Sequence, residues 1–465
     1  VGMPVGGIGC GQLYLGGDGR LWLWDIFKCN YRREPDHGRR IAAFTLGGHY
    51  AHPVAQGEQY NKWNGASVQQ GFLVRTRAGT RTLDRQGFPG ATFRGEYPIG
   101  KVSYAAKGFP VVVKLEAFSP FIPLNANDSA LPATVMSYTV TNTSNAPVVV
   151  DLGSWMQNAT CPYTTDAALG QRRNRLVQAD GRVSLLSTVE PSATATSRRE
   201  DILFADGTSA GGIEEKHGYG STTLTLLHDA KEEGLTVSDA TSLADPDSPS
   251  GLFEQARFLA EQEESVKPLN ELLVGGLFAT FQLAPGESKT VDFAITWYFP
   301  DYNEIDAAPG QLLKTQNFHN LRRHYAPWFD SAEDVAGYVS KNKQRPLGST
   351  RDWNKTWYDS TLPYWLLDRS FIPLDCVASQ MFHWFDSGRP YAWEGVDCCP
   401  GTCTHVWHYA QALARVFPEL ERAFREKVDF KPGVGFDPNS GMISSRGDFN
   451  RHPATDGQAG TVLRA

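Results

Sequence analysis

Between Pro390 and Tyr409 the chain concentrates side chains capable of covalent chemistry. Carboxylates stand at Glu394 and Asp397, thiols at Cys398, Cys399 and Cys403, and imidazoles at His405 and His408. Glu394 lies between Trp393 and Gly395, so an apolar ring flanks it and the chain can turn sharply after it. Thr402 or Thr404 is placed to cap a helix that starts near His405 and carries Ala410, Leu413, Ala414 and Phe417 on one apolar face. A carboxylate on a loop leading into a helix N-terminus sits beside free N–H donors, a good position for chemistry. The blander reading is a loop that closes a helical layer and carries a structural carboxylate.

Three chemistries compete for these residues. Hydrolysis of a glycosidic bond needs two carboxyl groups, one as nucleophile or base and one as proton donor. Glu394 is the best single candidate. Asp397 is close in sequence, but an irregular loop fixes no distance between them, and Asp352, Asp368, Asp375, Asp386, Asp437, Asp448 and Asp456 are spread over the helical part. A structural zinc site wants two separated ligand pairs, whereas Cys398, Cys399, Cys403, His405 and His408 form one crowded run without a second knuckle. These thiols are expected to pack the loop, and neither metal nor cofactor is expected. A serine hydrolase would carry a Gly-x-Ser-x-Gly elbow, which is absent.

The elements that must position Glu394 are legible as a change of period. The start, Gly2 to Gly11, is glycine-rich but fits neither phosphate-loop pattern. It leads into alternating strands, Gln12 to Leu15 and Arg20 to Phe27, around the turn Gly16-Gly17-Asp18-Gly19. From there to about Phe299 the period is two. Strands are predicted over Phe72–Thr76, Lys101–Ala105, Val111–Phe118, Ala133–Thr141, Val148–Trp155, Val183–Thr188, Ser221–His228, Leu272–Leu283 and Thr290–Trp297. The strands flanking Asn142–Pro147 read as a hairpin, and Gly251–Glu264 reads as an inserted helix. After about Phe318 the period becomes helical. Ser331 to Asp334 fits a capping box, and helices are predicted to Lys343, then over Thr350–Asp359, Leu362–Arg369, Pro373–Phe385, Thr404–Phe417 and Pro418–Val428. The long stretch from Phe385 to Thr404 then joins two helices, and loops of that length inside a compact domain usually carry function. The fold class is thus β first and α second: a β-sandwich over 1–312, a linker over 313–330, and a helical domain over 331–465.

Composition narrows the partners. The chain has 465 residues and a net charge of −7, with no basic block that would suit a nucleic acid. No apolar run approaches a membrane span. Aromatic residues make up 12%, enough to stack on sugars but also to fill large β cores. Seven cysteines, odd in number and clustered late, do not resemble a secreted disulfide framework and point to a reducing, cytoplasmic compartment. Both ends read as cut, since the chain opens at Val1 without an initiator Met and stops at Ala465 in an apparent helix, so a fragment is expected. Oligomeric state is not readable.

Three stretches resemble glycoside hydrolase family 116, the group of non-lysosomal glucosylceramidases and bile-acid β-glucosidases. They are Gly2–Gly11 with Leu15–Phe27, then Tyr97-Pro98 to Ser119-Pro120 continuing through Val140-Thr141-Asn142, and Trp393-Glu394-Gly395 with His405–Ala410 and Pro418–Glu421. The resemblance implies an N-terminal β-sandwich followed by an (α/α)6 toroid, incomplete in this chain. It implies a retaining β-glycosidase acting on a carbohydrate or glycolipid, with Glu394 as nucleophile and the acid/base aspartate beyond residue 465. Trp393, Thr402 and His405 fall at positions implied to hold the sugar. The sequence departs from the family in two places: His405 stands where the family has an aspartate, and Ser444, Ser445 and Arg446 where a histidine is expected. Those departures leave open a carbohydrate-binding or scaffold homologue without catalysis, and the two-domain plan also hosts phosphorylases and lyases.

Overall fold

The computed structural model describes residues 2–27, 68–162, 164, 166–192, 212–216, 218–228, 234–243, 251–255, 263–302, 321–379, 381–392, 402–404, 413–447 and 452–465. The β part is built on two antiparallel sheets. One has nine strands in the spatial order Glu264–Pro268, Gly170–Ala179, Arg182–Pro191, Ser221–Leu227, Ser288–Tyr298, Ala133–Asn142, Val111–Phe118, Ile99–Tyr104, Thr92–Glu96. The other has five: Thr236–Ala240, Val274–Leu283, Val148–Gln157, Gln70–Thr76, Gly79–Thr82. In the strand Val111–Phe118 the residues Val111, Val113, Leu115 and Ala117 are buried while Lys114 is exposed, the period-two pattern of a sheet with one face on a core. The two sheets share that core. Phe72 of the smaller sheet meets Tyr138 and Phe293 of the larger, with ring centroids 4.7 and 5.3 Å apart.

The turn at Asn142–Pro147 is not a hairpin. Ala133–Asn142 pairs with Val111–Phe118 and Ser288–Tyr298, whereas Val148–Gln157 pairs with Val274–Leu283 and Gln70–Thr76, so the chain crosses between sheets there. Both edges of Ala133–Asn142 are taken by Val111–Phe118 and Ser288–Tyr298, so the chain finds no free edge to return to. The buried Asn142 amide donates to the carbonyls of Ala146 at 2.8 Å and Leu283 at 3.1 Å, and its Oδ1 accepts from the Ser144 N–H at 2.9 Å. These bonds fix the turn and tie it to the end of Val274–Leu283. The expected helix over Gly251–Glu264 is also shorter: Gly251–Gln255 is helical, but Glu264–Pro268 is an edge strand beside Gly170–Ala179.

The N-terminal stretch forms its own three-stranded sheet, Gly2–Pro4, Gln12–Gly16 and Leu21–Asp25, with the expected glycine turn. Gly19 has φ +94°, and a Cβ there would run into the Tyr104 hydroxyl, which donates to the Asp18 carbonyl at 3.0 Å. One glycine thus docks the turn onto the nine-stranded sheet.

Helices follow. Ala332–Asn342 begins at Ser331, whose hydroxyl accepts from the Asp334 N–H at 3.2 Å as the capping signal predicts. It lies across the nine-stranded sheet on Val335, Ala336 and Val339, held by Arg182 to Glu333 at 2.7 Å and by the Thr296 hydroxyl to the Ala332 carbonyl at 2.7 Å. Gln344–Tyr358, Tyr364–Phe371, Leu413–Val416, Pro418–Phe424 and Thr455–Leu463 are helical, and a π turn spans Arg425–Asp429. The helix expected over Pro373–Phe385 does not form. Ile372–Ala378 is a 3-10 turn and Phe382–Trp384 is a strand paired with Pro390–Ala392. Within the stretch expected as a linker, Leu321–Arg322 pairs with Asp301–Tyr302, and Arg323 and Tyr325 are buried. Among the described residues no helix is long and apolar enough to cross a membrane.

Replacing Asn142 by Ala removes the bonds that fix this turn and takes the side-chain donor from the buried Leu283 carbonyl. The expected cost is about 2–3 kcal/mol in urea unfolding. A loss under about 0.5 kcal/mol would show that the crossover holds without it.

Candidate active site

The strand pair Phe382–Trp384 and Pro390–Ala392 carries the chain to Trp393 and Glu394. Its register is Phe382 to Ala392, His383 to Tyr391 and Trp384 to Pro390, closed by a turn in which Gly388 has φ +72°. Residues 393–401 lie outside the described residues, so Trp393 and Glu394 do too, as do Asp397, Cys398, Cys399, His405, Trp407 and His408. What is described is the frame on either side. The Cys403 N–H donates to the Ala392 carbonyl at 3.1 Å, which brings the two ends of the 393–401 segment together. Thr402 is buried at 3% exposure and has φ +58°. A β-branched residue in the left-handed region costs on the order of 1–3 kcal/mol, so the surroundings hold it there. Thr404 anchors the returning chain through its N–H and hydroxyl, both on the Ser445 carbonyl at 2.9 and 3.2 Å.

Thr402 therefore stands at the foot of the candidate loop. Among the described residues its hydroxyl meets no hydrogen-bond partner, and residues 405–412, where the helix that Thr402 or Thr404 is expected to cap would start, lie outside the described residues. Tyr391 is a packing residue: its ring lies 5.6 Å from that of Phe385, and the Arg389 guanidinium sits 4.4 Å over it. Cys403 is buried, as are Cys10, Cys161 and Cys376.

Two supports hold the hairpin. On one side the N-terminal glycine loop packs against it. The Gly9 N–H donates to the Val377 carbonyl at 2.9 Å, and with φ +67° a Cβ on Gly9 would clash with Trp384. Trp384 stacks on His324 with ring centroids 3.3 Å apart, and His324 Nε2 lies 3.0 Å from Asn127 Oδ1. Burial depresses the His324 pKa to about 4, so the stacked imidazole is neutral near pH 7. Arg323 is buried beside it, with its guanidinium on the carbonyls of Phe27 at 3.0 Å and Gly9 at 3.4 Å and 5.0 Å over the Tyr302 ring. The Tyr302 hydroxyl reaches His383 Nε2 at 3.1 Å.

On the other side lies a buried charged layer. Arg425 binds Asp429 at 2.7 Å and faces Glu421 at 3.6 Å, while Arg464 pairs with Glu421. Asp429 is 1% exposed; burial pushes its pKa up to about 6 despite the Arg425 charge beside it. Asp429 was not among the aspartates singled out from the sequence. The signal was the run Glu421, Arg425, Asp429 at helical spacing, which reads equally well as a solvated face. Of those singled out, Asp352, Asp368, Asp386 and Asp456 are exposed. Asp437 is tied into a turn by Asn439 and Ser440, whose bonds hold its pKa down. Ser444 and Ser445 are buried at the foot of the loop, and among the described residues no three His, Cys, Asp or Glu side chains form a metal cluster.

Comparison with known proteins adds a family. The model described as "beta-glucosidase 2, glycosyl-hydrolase family 116 N-term" matches residues 2–345. Among solved structures, a protein described as a kojibiose phosphorylase from the human microbiome is 10% identical, with a TM-score of 0.32 over 84% of this chain and 44% of that one. A protein described as an aldose 1-epimerase from Klebsiella pneumoniae is 10% identical, with a TM-score of 0.23 over 72% of this chain and 80% of that one. The chain thus spans less than half the length of the phosphorylase it is compared with.

The raised Asp429 pKa has a definite sign. A carboxyl whose folded pKa lies above its unfolded value near 4 binds protons more tightly when folded. Its cost to stability is absent below about pH 4 and grows until about pH 6. Asp429→Asn should therefore gain stability relative to the parent by about 1 kcal/mol between pH 5 and pH 7.5. Paired urea titrations give that difference, and a flat one would place the titration of Asp429 in the ordinary range.

Proposed function

This chain belongs to glycosyl-hydrolase family 116, and from that premise we propose that it contributes the nucleophile half of a retaining β-glycosidase. The observation that carries the reading is the frame around residues 393–401. A buried hairpin leads in, a strained Thr402 leads out, and the Cys403 to Ala392 bond joins the ends. A catalytic carboxylate must be held to a fraction of an ångström, and rigid flanks of this kind are what such positioning asks for.

In this reading the Glu394 carboxylate attacks the anomeric carbon as the glycosidic C–O bond breaks. A second carboxyl group, acting as acid, protonates the leaving oxygen. The same group then takes a proton from water, which attacks the glycosyl ester and releases the sugar and the free Glu394 carboxylate. Trp393, Thr402 and His405 are proposed to hold the sugar. The buried setting of the hairpin limits water around the ester. We read 1–312 as the β-sandwich domain, 313–330 as the connection and 331–465 as the first part of an (α/α)6 toroid. A β-glucosidase or glucosylceramidase specificity is the finer proposal, and His405 in place of an aspartate bears on which sugar is accepted. The same departure favours, as a second reading, a homologue that binds carbohydrate without cleaving it.

Glu394→Gln in the complete protein should lower hydrolysis of an aryl β-glucoside by about 1,000-fold or more. It should also abolish covalent labelling by a 2-deoxy-2-fluoro-glucoside. Undiminished labelling of the variant would reject Glu394 as nucleophile, and a parent protein that binds glucosides but never turns them over would support the second reading.

A further inference from the structure

Away from the candidate loop, the end of helix Gln344–Tyr358 and the start of helix Tyr364–Phe371 expose aromatic rings. Trp365 is 68% exposed and Tyr364 55%, and both border a hollow of about 470 Å³ with Tyr358, Arg94, Glu96 and Asp368. Large apolar side chains exposed together on a soluble surface generally mark a contact site. These rings are ordered rather than scattered. Tyr358 and Tyr364 lie nearly parallel, 19° apart with centroids 6.3 Å distant, and the Arg94 guanidinium sits 4.6 Å over the Tyr364 ring.

Arg94 also borders a groove of about 990 Å³ along the outer face of the nine-stranded sheet, where Thr92, Ser103, Lys114, Thr139 and Thr290 stand on one face. The two depressions share Arg94 in their walls, so the aromatic rings of the hollow and the hydroxyls of the groove flank one side chain and form a neighbouring cleft pair. Three of its cations are paired on site. Glu96 holds both Arg94 and Lys101, the latter at 2.7 Å, and Glu116 holds Arg351 at 2.8 Å. Most of the charge lining this cleft is thus already compensated, which suits a ligand without formal charge.

We propose that this cleft is a second carbohydrate-binding site, which takes a neutral oligosaccharide with one sugar ring stacked on Trp365 and Tyr364. Pyranose rings present C–H faces that pack on aromatic planes. The Asp368 carboxylate accepts from sugar hydroxyls, and the threonine and serine hydroxyls of the groove both donate and accept. Burial, with Asp368 and Glu96 nearby, pushes the Tyr358 phenol up, so it stays a donor. The site is independent of Glu394 and would serve a hydrolase or a non-catalytic homologue alike.

The test is calorimetric titration of the full chain, carrying Glu394→Gln to prevent turnover, with cellotetraose, laminaritetraose and xylotetraose. At least one should bind, and Trp365→Ala should weaken that binding by roughly tenfold or more. The far-ultraviolet spectrum should be unchanged, because Trp365 is mostly exposed. In chains that retain Glu394, Trp365→Ala should leave hydrolysis of a small aryl β-glucoside within about twofold of the parent. Absence of binding to all three tetrasaccharides overturns the proposal, as does equal affinity in the Trp365→Ala variant. So does self-association of the parent that Trp365→Ala abolishes without any sugar binding, which would make the surface an interface between copies. Loss of glycosidase activity alone would bear on Glu394 and not on this cleft.

Discussion

A buried guanidinium ties the two parts of this molecule together. Arg323 stands where the last β segment gives way to helices, and its two terminal nitrogens donate to the backbone carbonyls of Gly9 and Phe27 beneath the Tyr302 ring. A cation taken out of water needs compensation, and here it comes from the N-terminal glycine loop and an aromatic face. Removing the charge would leave two interior carbonyls without that donor, and moving the loop would leave the charge without acceptors. The neighbours of Arg323 repeat the arrangement. The backbone of His324 bonds the Trp384 carbonyl at 2.9 Å, and the Asp386 N–H bonds the Arg322 carbonyl at 2.9 Å, so the hairpin before Glu394 is an extension of the β part.

Much of this architecture is visible in the residue order, and the misses have identifiable physical causes. Period-two runs such as Val111–Phe118 declare a sheet with one buried face, and the Ser331 cap declares the start of its helix. Asn142–Pro147 has every local mark of a hairpin turn. Whether the next strand returns to the same sheet depends on Ser288–Tyr298, far away in sequence, which already holds the free edge of Ala133–Asn142. Phe382-His383-Trp384 has no local reason to be extended after the Pro373 stretch. It becomes a strand because Pro390–Ala392 pairs with it and Arg323 and His324 supply an edge. The role of the N-terminal glycines was similarly hidden. The context rules out a phosphate loop but does not say what the glycines do, and at Gly9 the freedom is used for close approach of backbone to the Trp384 side chain. The candidate nucleophile itself is legible only through its flanking residues and the family they resemble, because no carboxylate announces its own burial.

The charged layer beneath the hairpin is the opposite of a stability device. Glu421, Arg425, Asp429 and Arg464 are all buried, and an apolar layer of equal volume would cost less to fold. Geometric definition is what such a layer offers in return, since ion pairs at 2.7 Å accept far fewer arrangements than interdigitating methyl groups. It sits under Phe424, whose ring faces Phe382 at 6.3 Å, and so directly below the strand pair that leads to the loop.

The shared edge at Arg322, Arg323 and His324 also constrains how such a protein can change over generations. A helical half exchanged between distant relatives would arrive with a hairpin whose hydrogen-bond partners had stayed behind in the other half. Recombination at the apparent seam would therefore break the hairpin that leads to the candidate loop first. Residues 2–27, 321–329 and 377–392 are bound to travel and diverge as one inheritance, even though they lie in three separate places along the gene.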